Sequence, residues 1–231
     1  MEESEEETID STPKFKICIL TASIGGIDNV CGIPKQNIDI DYKYYDDNNL
    51  PFPLNNLSDR LKARYLKSQT HRFLPNYDLY IWLDGRIKVE GNNFAQTFLQ
   101  QAMDHDLAIY KHTERNNVYE ELCYIDQQIG KGSPYLMARY KDQQLLKESL
   151  FYKNGGLPED FPLFMGGFYA RWNNKKVNDC FDEWWRRIIE FSYSDQTMLS
   201  YVAWEHQLNI NAIEFDKLRT HKLFTIGKHA K

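Results

Sequence analysis

Two acidic residues stand where a folded chain places a charge only at a cost. Asp84 closes the run Tyr77-Asp78-Leu79-Tyr80-Ile81-Trp82-Leu83 and is followed by Gly85 and Arg86. A carboxylate at the end of a buried apolar run is costly unless it is paired, binds a metal or meets a ligand. The glycine after it permits a sharp turn or the close approach of a backbone. The same Asp-Gly pair reads equally as a hairpin turn, because Arg86-Ile87-Lys88-Val89 alternates like a returning strand. A turn can carry a functional acid, so both readings stand. The second acid lies in Ser194-Asp195-Gln196, with Ser194 as helix cap and Asp195 in the first turn, where the macrodipole stabilises an anion. Its plainer reading is a helix-end charge.

Cations and glycines supply the rest. Arg60, Arg64, Lys67 and His71 recur at spacings of four, three and four, which puts them on one face of a helix over 58–74. Such a row suits a pyrophosphate, and equally the solvated face of an amphipathic helix. Lys111-His112-Thr113-Glu114-Arg115 follows a short strand and sits at a ligand edge if that strand is parallel; otherwise it is a polar loop. Gly166 and Gly167 interrupt an apolar strand, which implies a bulge, a close ligand approach or packing against a helix. His221 and His229, near the end of the chain, are surface residues or metal ligands.

For these groups to meet, their elements must share an edge. Phe15–Thr21 reads as a buried strand stopped by Gly25-Gly26, and Ile38, Ile40, Tyr42 and Tyr44 alternate as a second. Ser58 caps a helix running to Pro75, and Tyr77–Leu83 is the strongest strand. A helix over 93–104, a strand at Leu107–Tyr110 and a helix at Val118–Ile129 follow. Next come a helix capped by Ser133 with Pro134 in its first turn, a Gly- and Pro-rich loop at 154–162 and a strand at Leu163–Arg171. An amphipathic helix is marked by Val177, Cys180, Phe181, Trp184, Trp185, Ile188 and Phe191; another runs from Ser194 towards Leu208, and Ile210–Phe215 is a late strand. This alternation predicts an α/β sandwich with a mainly parallel central sheet flanked by helices, a single domain over 14–231 after an acidic tail at 1–13. In such folds ligands bind beyond the carboxyl ends of the strands.

Composition narrows the function. Six acids and no base occupy residues 1–10 of the 231; without them the body holds 27 acids against 28 bases, so the net charge of −5 belongs to the tail. A neutral body argues against nucleic acid. The acidic start is the opposite of a secretory signal, and no apolar run approaches the roughly 20 residues of a membrane span, so the expected location is cytoplasmic. Four scattered cysteines give neither a zinc-knuckle spacing nor a disulfide framework. Phosphate-binding P-loop, nucleophile-elbow and dinucleotide glycine motifs are all missing from the sequence.

Three ordered blocks carry a resemblance: Arg64-x-x-Lys67-x-x-x-His71-x-Phe73-x-Pro75-x-Tyr77-Asp78-x-Tyr80-Ile81-Trp82-Leu83-Asp84-Gly85, then Lys111-His112-Thr113-Glu114-Arg115-x-x-Val118-Tyr119-Glu120-Glu121, then Trp184-Trp185 through Ser194-Asp195-Gln196-x-x-x-Ser200-Tyr201. With them the chain resembles the glycosyltransferase-like family long catalogued as a domain of unknown function. That family includes plant Golgi proteins of wall and mucilage synthesis and bacterial and viral glycan-cluster proteins. The resemblance implies a GT-A fold that transfers a sugar from a nucleotide-diphosphate donor, by analogy UDP-linked, to a glycan or other hydroxyl acceptor. It implies donor contacts from Thr21, Arg64, Lys67, His71, Asp84, Gly85, Arg86, His112, Arg115, Gly166 and Gly167. It implies a divalent metal, Mn²⁺ or Mg²⁺, at Asp84, with His221 and His229 as further ligands. Arg86 stands where the family's Asp-x-Asp pattern has its second acid, and its guanidinium matches phosphate geometry. Asp195 and Gln196 are the implied catalytic pair: either Asp195 is the base of an inverting attack, or the two hold the donor sugar's hydroxyls in a retaining one. Two rivals remain, a nucleotide-sugar binding module without turnover and an interaction protein.

Overall fold

The computed structural model describes residues 15–192, 194–216, 220 and 222–228. The expected tail at 1–13 therefore lies outside the described residues, as do His221 and His229. The chain runs through β1 (Ile17–Ala22), a 3₁₀ turn (Ile24–Gly26), β2 (Asp41–Tyr45), α1 (Asp59–Ser68), α2 (Thr70–Phe73), β3 (Leu79–Asp84), β4 (Ile87–Val89) and α3 (Phe94–Ala102). It continues with β5 (Leu107–Lys111), α4 (Val118–Gly130), α5 (Pro134–Tyr140), α6 (Leu145–Gly155), β6 (Phe164–Trp172), α7 (Lys175–Glu190), α8 (Asp195–Glu205), β7 (Ile210–Ile213) and β8 (Phe224–Ile226).

Among the described residues one six-stranded sheet has the order β2-β1-β3-β6-β5-β7. All its pairings are parallel except those of β6, which runs antiparallel to both β3 and β5. The sheet is thus mainly parallel, as the alternation of elements predicts. Alternate residues of each strand feed opposite layers. On β3, Tyr80 and Trp82 join the layer that holds Leu66, Trp184 and Met198, while Leu79, Ile81 and Leu83 face Phe94 and Phe98 of α3. Asp84 shares the parity of Tyr80 and Trp82, so the strand delivers its carboxylate to the face covered by α1, α7 and α8.

Three local expectations are corrected. Gly85-Arg86 does turn the chain, but no hairpin forms: β4 leaves the main sheet and pairs with β8. One helix was expected between Ser133 and the glycine-rich loop, and two are found; Pro134 opens α5 as predicted, while the Ser133 side chain caps nothing. Ser194 likewise occupies the cap position without a capping bond to the backbone. Its hydroxyl instead lies 3.0 Å from Thr197 Oγ1.

Candidate functional site

A cleft of about 760 Å³ opens at the carboxyl edge of β1 and β3, floored by Ala22, Trp82 and Asp84 and walled by α1, α4, α5 and the start of α8. At its centre Lys67 is 1 % exposed, and its ammonium lies 2.6 Å from Asp195 Oδ2 and 3.4 Å from Asp84 Oδ1. Arg64, one turn earlier on α1, reaches Asp195 Oδ1 at 3.0 Å. The row of cations has therefore brought together the two acids that were singled out, 111 positions apart in sequence.

Each member is held from behind. Tyr169 donates to the Lys67 carbonyl at 2.7 Å, and the indoles of Trp82 and Trp184 flank the ammonium with ring centres at 6.0 and 5.9 Å. Trp82 Nε1 donates to Asp84 Oδ1 at 2.8 Å, and Trp184 Nε1 donates to the Asp195 carbonyl at 3.0 Å. Burial would push the Asp195 carboxyl up, but Arg64 and Lys67 outweigh it and hold the group well below the usual carboxylate range. That favours the anion and makes Asp195 a weak base.

The paired glycines have a spatial reason. Between Ile109 and Lys111 the register of β5 against β6 slips, with Tyr169 and Phe164 as the partners on either side, so Gly166-Gly167 sits in a bulge. A Cβ on Gly167 would lie 3.1 Å from Asp84 Oδ2; one on Gly166 would lie 3.5 Å from Lys67 Nζ and 3.6 Å from Asp195 Oδ2. The bulge lets both glycines approach the charged centre. Gly85 is tighter still, since a Cβ there would lie 2.9 Å from Asp28 Cβ and 3.0 Å from the Ala22 carbonyl.

Not every candidate reaches the cleft. Asp84, Gly85, Arg86, Arg64, Lys67, Arg115, Gly167, Asp195 and Gln196 line it. His71 does not: α1 ends at Ser68, Gln69 turns away with its amide on the Phe181 carbonyl at 2.9 Å, and the helical row breaks. His71 instead meets Asp182 at 3.0 Å and Arg171 at 3.2 Å, where burial, then Arg171, lowers its pKa to about 4. Thr21 is buried beside the cleft without lining it. His112 also stays behind the wall. Its Nδ1 accepts the backbone N–H groups of Glu114 and Arg115, each at 3.2 Å, shaping the turn that carries Arg115 inward; burial, then Arg115, lowers its pKa to about 4.

Three groups had no sequence signal of their own. Arg139 enters from α5, and Arg60 donates to its carbonyl at 3.1 Å. Asp28, on the turn after β1, lines the cleft beside Gly85. Glu148, fully buried on α6, accepts from Thr197 Oγ1 at 2.6 Å, from Tyr152 at 2.5 Å and from Ser192, and so ties down the segment that leads into Asp195.

The divalent metal expected at Asp84 finds a poor donor set. Among the described residues no three His, Cys, Asp or Glu side chains converge on a common point. Asp84 faces Lys67, and Arg86, whose Nε is buried without a partner, occupies the place of a second acid. These residues fit an anion better than a cation. No helix among the described residues is long and apolar enough to cross a membrane.

Comparison with known proteins adds a family. The family described as TOD1/MUCI70, glycosyltransferase-like domain, matches residues 54–229, which include the whole charged centre. No curated protein matches the sequence. Solved structures with some similarity include the bifunctional glycosyltransferase WbbM, at 10% identity and a TM-score of 0.48 over 87% of this chain. This chain spans only 39% of WbbM. A glycosyltransferase involved in glycosylation of the major capsid of PBCV-1 gives 10% identity and a TM-score of 0.44, covering 91% of this chain and 92% of that one. Mouse xyloside xylosyltransferase 1 gives 11% and 0.46, covering 86% and 85%.

Proposed function

The chain belongs to the TOD1/MUCI70 glycosyltransferase-like domain family, and from that premise we propose that it moves a sugar from a nucleoside-diphosphate donor, UDP-linked in the first instance, to a glycan or other hydroxyl acceptor. The observation that carries the reading is the convergence of Arg64, Lys67, Asp84 and Asp195 at the carboxyl edge of the sheet. Breaking a glycosyl–phosphate bond leaves negative charge on the departing diphosphate, and preorganised cations stabilise that charge. Lys67, Arg64, Arg86 and Arg115 are the cations suited to the task, and no step need pass through a metal. Asp195, held ionised, is suited to accept hydrogen bonds from hydroxyls of the donor sugar, with Gln196 beside it offering both donor and acceptor atoms. The acceptor's proton then needs a different base.

The pairing of Asp84 with Lys67 also favours a second reading, a nucleotide-sugar binder without turnover. One experiment separates them: thermal shift and calorimetry with UDP, GDP and UDP-sugars, with and without Mn²⁺, followed by assay of donor hydrolysis and transfer. Binding with turnover supports the enzyme, and binding alone supports the second reading. No nucleotide binding under any condition overturns both. A strict need for Mn²⁺ would restore the metal expected at Asp84.

A further inference from the structure

Three tyrosines are exposed among the described residues, Tyr44, Tyr124 and Tyr135, and the last two sit at the cleft. Tyr124 on α4 is 40% exposed and Tyr135 on α5 is 56% exposed, and both line the charged cleft. Each ring is backed by a guanidinium: Arg115 lies 4.4 Å from the Tyr124 centroid, and Arg139 lies 4.9 Å from the Tyr135 centroid. Those guanidinia have further neighbours, Arg115 in Glu114 at 2.8 Å and in Glu121, and Arg139 in the buried ring of Tyr140 at 5.7 Å. The rings are therefore ordered before any ligand arrives, so little conformational entropy is lost on binding. Arg115 is shared with two carboxylates, so part of its charge is already met within the wall.

We propose that Tyr124 and Tyr135 form a platform for the acceptor, a neutral chain of pyranoses whose hydroxyls are all equatorial, of gluco or xylo configuration. Such a ring presents a face of axial C–H bonds, and that face is complementary to the electron-rich face of an aromatic ring. The assignment rests on the glycosyltransferase reading for its word acceptor, not for its chemistry. It favours the acceptor over the nucleobase because the platform opens to solvent, as a continuing chain requires. The cleft is lined as well by Ala22, Ile24, Ile27 and Asp28 from the edge of β1, an apolar surface with a carboxylate that suits the base.

The test measures cellotetraose and xylotetraose binding by saturation-transfer NMR, and UDP binding by calorimetry. Both are applied to the wild type, Tyr124→Ala, Tyr135→Ala and the two Tyr→Trp variants. Each alanine variant is expected to weaken oligosaccharide binding about tenfold while the tryptophan variants retain it, with UDP affinity unchanged within about threefold throughout. Retained binding in the tryptophan variants separates a lost platform from a lost fold. The proposal is overturned if the alanine variants bind as the wild type does, or if neither oligosaccharide binds at about 10 mM. It is also overturned if UDP affinity falls instead, which would give the rings to the base. Tyrosine-dependent oligosaccharide binding by a wild type that binds no nucleotide upholds the platform and sinks the transferase reading.

Discussion

Replacing Lys67 by methionine keeps the stem and volume of the side chain and deletes only the ammonium. What remains is Asp195, 10% exposed with Arg64 as its near partner, and Asp84, 28% exposed with Trp82 Nε1 as its donor. Removing one partner of a buried ion pair costs about 3–5 kcal/mol, because the other charge is left uncompensated. Partial solvation of Asp84 and the surviving Arg64 contact place this case at the lower end, about 3 kcal/mol, which for a chain of this size lowers Tm by about 6–12 °C. The loss has a signature in pH. The folded-state pKa of Asp195 is depressed, so its contribution is complete above the ordinary aspartate value and fades as pH falls through the lower folded value. The deficit of Lys67→Met should therefore be largest near neutrality and shrink in acid. Adding Asp195→Asn removes the stranded charge, so the double variant should recover part of the loss. Thermal unfolding by circular dichroism at neutral and acidic pH reads both effects. A shift under about 2 °C, or a double variant whose losses simply add, refutes the idea that Lys67 neutralises the two acids.

Three further outcomes are expected. Asp84→Asn leaves Lys67 paired with Asp195, so Tm should stay within about 2 °C while transfer falls at least about 100-fold in a coupled nucleotide-release assay. A large loss of Tm with retained activity would make Asp84 structural. Gly167→Ala puts a Cβ 3.1 Å from Asp84 Oδ2 and forces that carboxylate to shift by a few tenths of an ångström, so kcat should drop at least about tenfold for less than about 1 kcal/mol of stability; unchanged kcat would show that Asp84 has room to give. His71 titrates at about 4 in the fold against 6.5 for an ordinary histidine, so the unfolded chain takes up its proton first. Stability should thus fall as pH drops from 6.5 towards 4, and His71→Gln should flatten that slope in pH-dependent thermal scans.

What the sequence made legible was what repeats locally. The buried strands β1 and β3, the amphipathic α7 and the cationic side of α1 follow from period and burial alone; the ligand-edge rule then selected Asp84, while Asp195 stood out as an acid in a helix's first turn. The double glycine of β6 left a bulge, a close ligand approach and helix packing open, and the register slip against β5 shows the bulge. What failed was whatever depended on a break or a distant partner. His71 obeys the helical spacing, but the helix stops at Ser68. A periodicity argument assumes a continuous helix, and Gln69 leaves it to reach Phe181 on α7. The Asp-Gly turn was legible but the partner of β4 was not, because β8 lies more than 130 positions further on. Glu148 and Arg139 carry no motif. Their importance comes from contacts with distant residues, Arg139 with Arg60 of α1 and Glu148 with Thr197 of α8, which nothing local encodes.

The charged centre reads as both scaffold and site because a buried lysine serves each end only through the other. Without ligand, Lys67 tolerates almost complete burial because Asp84 and Asp195 surround its ammonium, and the two acids tolerate crowding because the ammonium separates them. A diphosphate that took the ammonium from Asp84, at 3.4 Å the looser of the two contacts, would release that carboxylate to accept a hydrogen bond from a sugar hydroxyl, the role that Asp84→Asn tests. Asp195, at 2.6 Å and seconded by Arg64, is the tighter anchor. Exchange at Asp84 therefore disturbs the fold little, while loss of Lys67 strands both acids. The two substitutions separate the roles: Asp84→Asn should silence transfer in a stable protein, and Lys67→Met should weaken the protein before transfer is even measured. If instead both variants melted alike, the carboxylates would be equivalent braces, and the looser contact would hold no place for a phosphate.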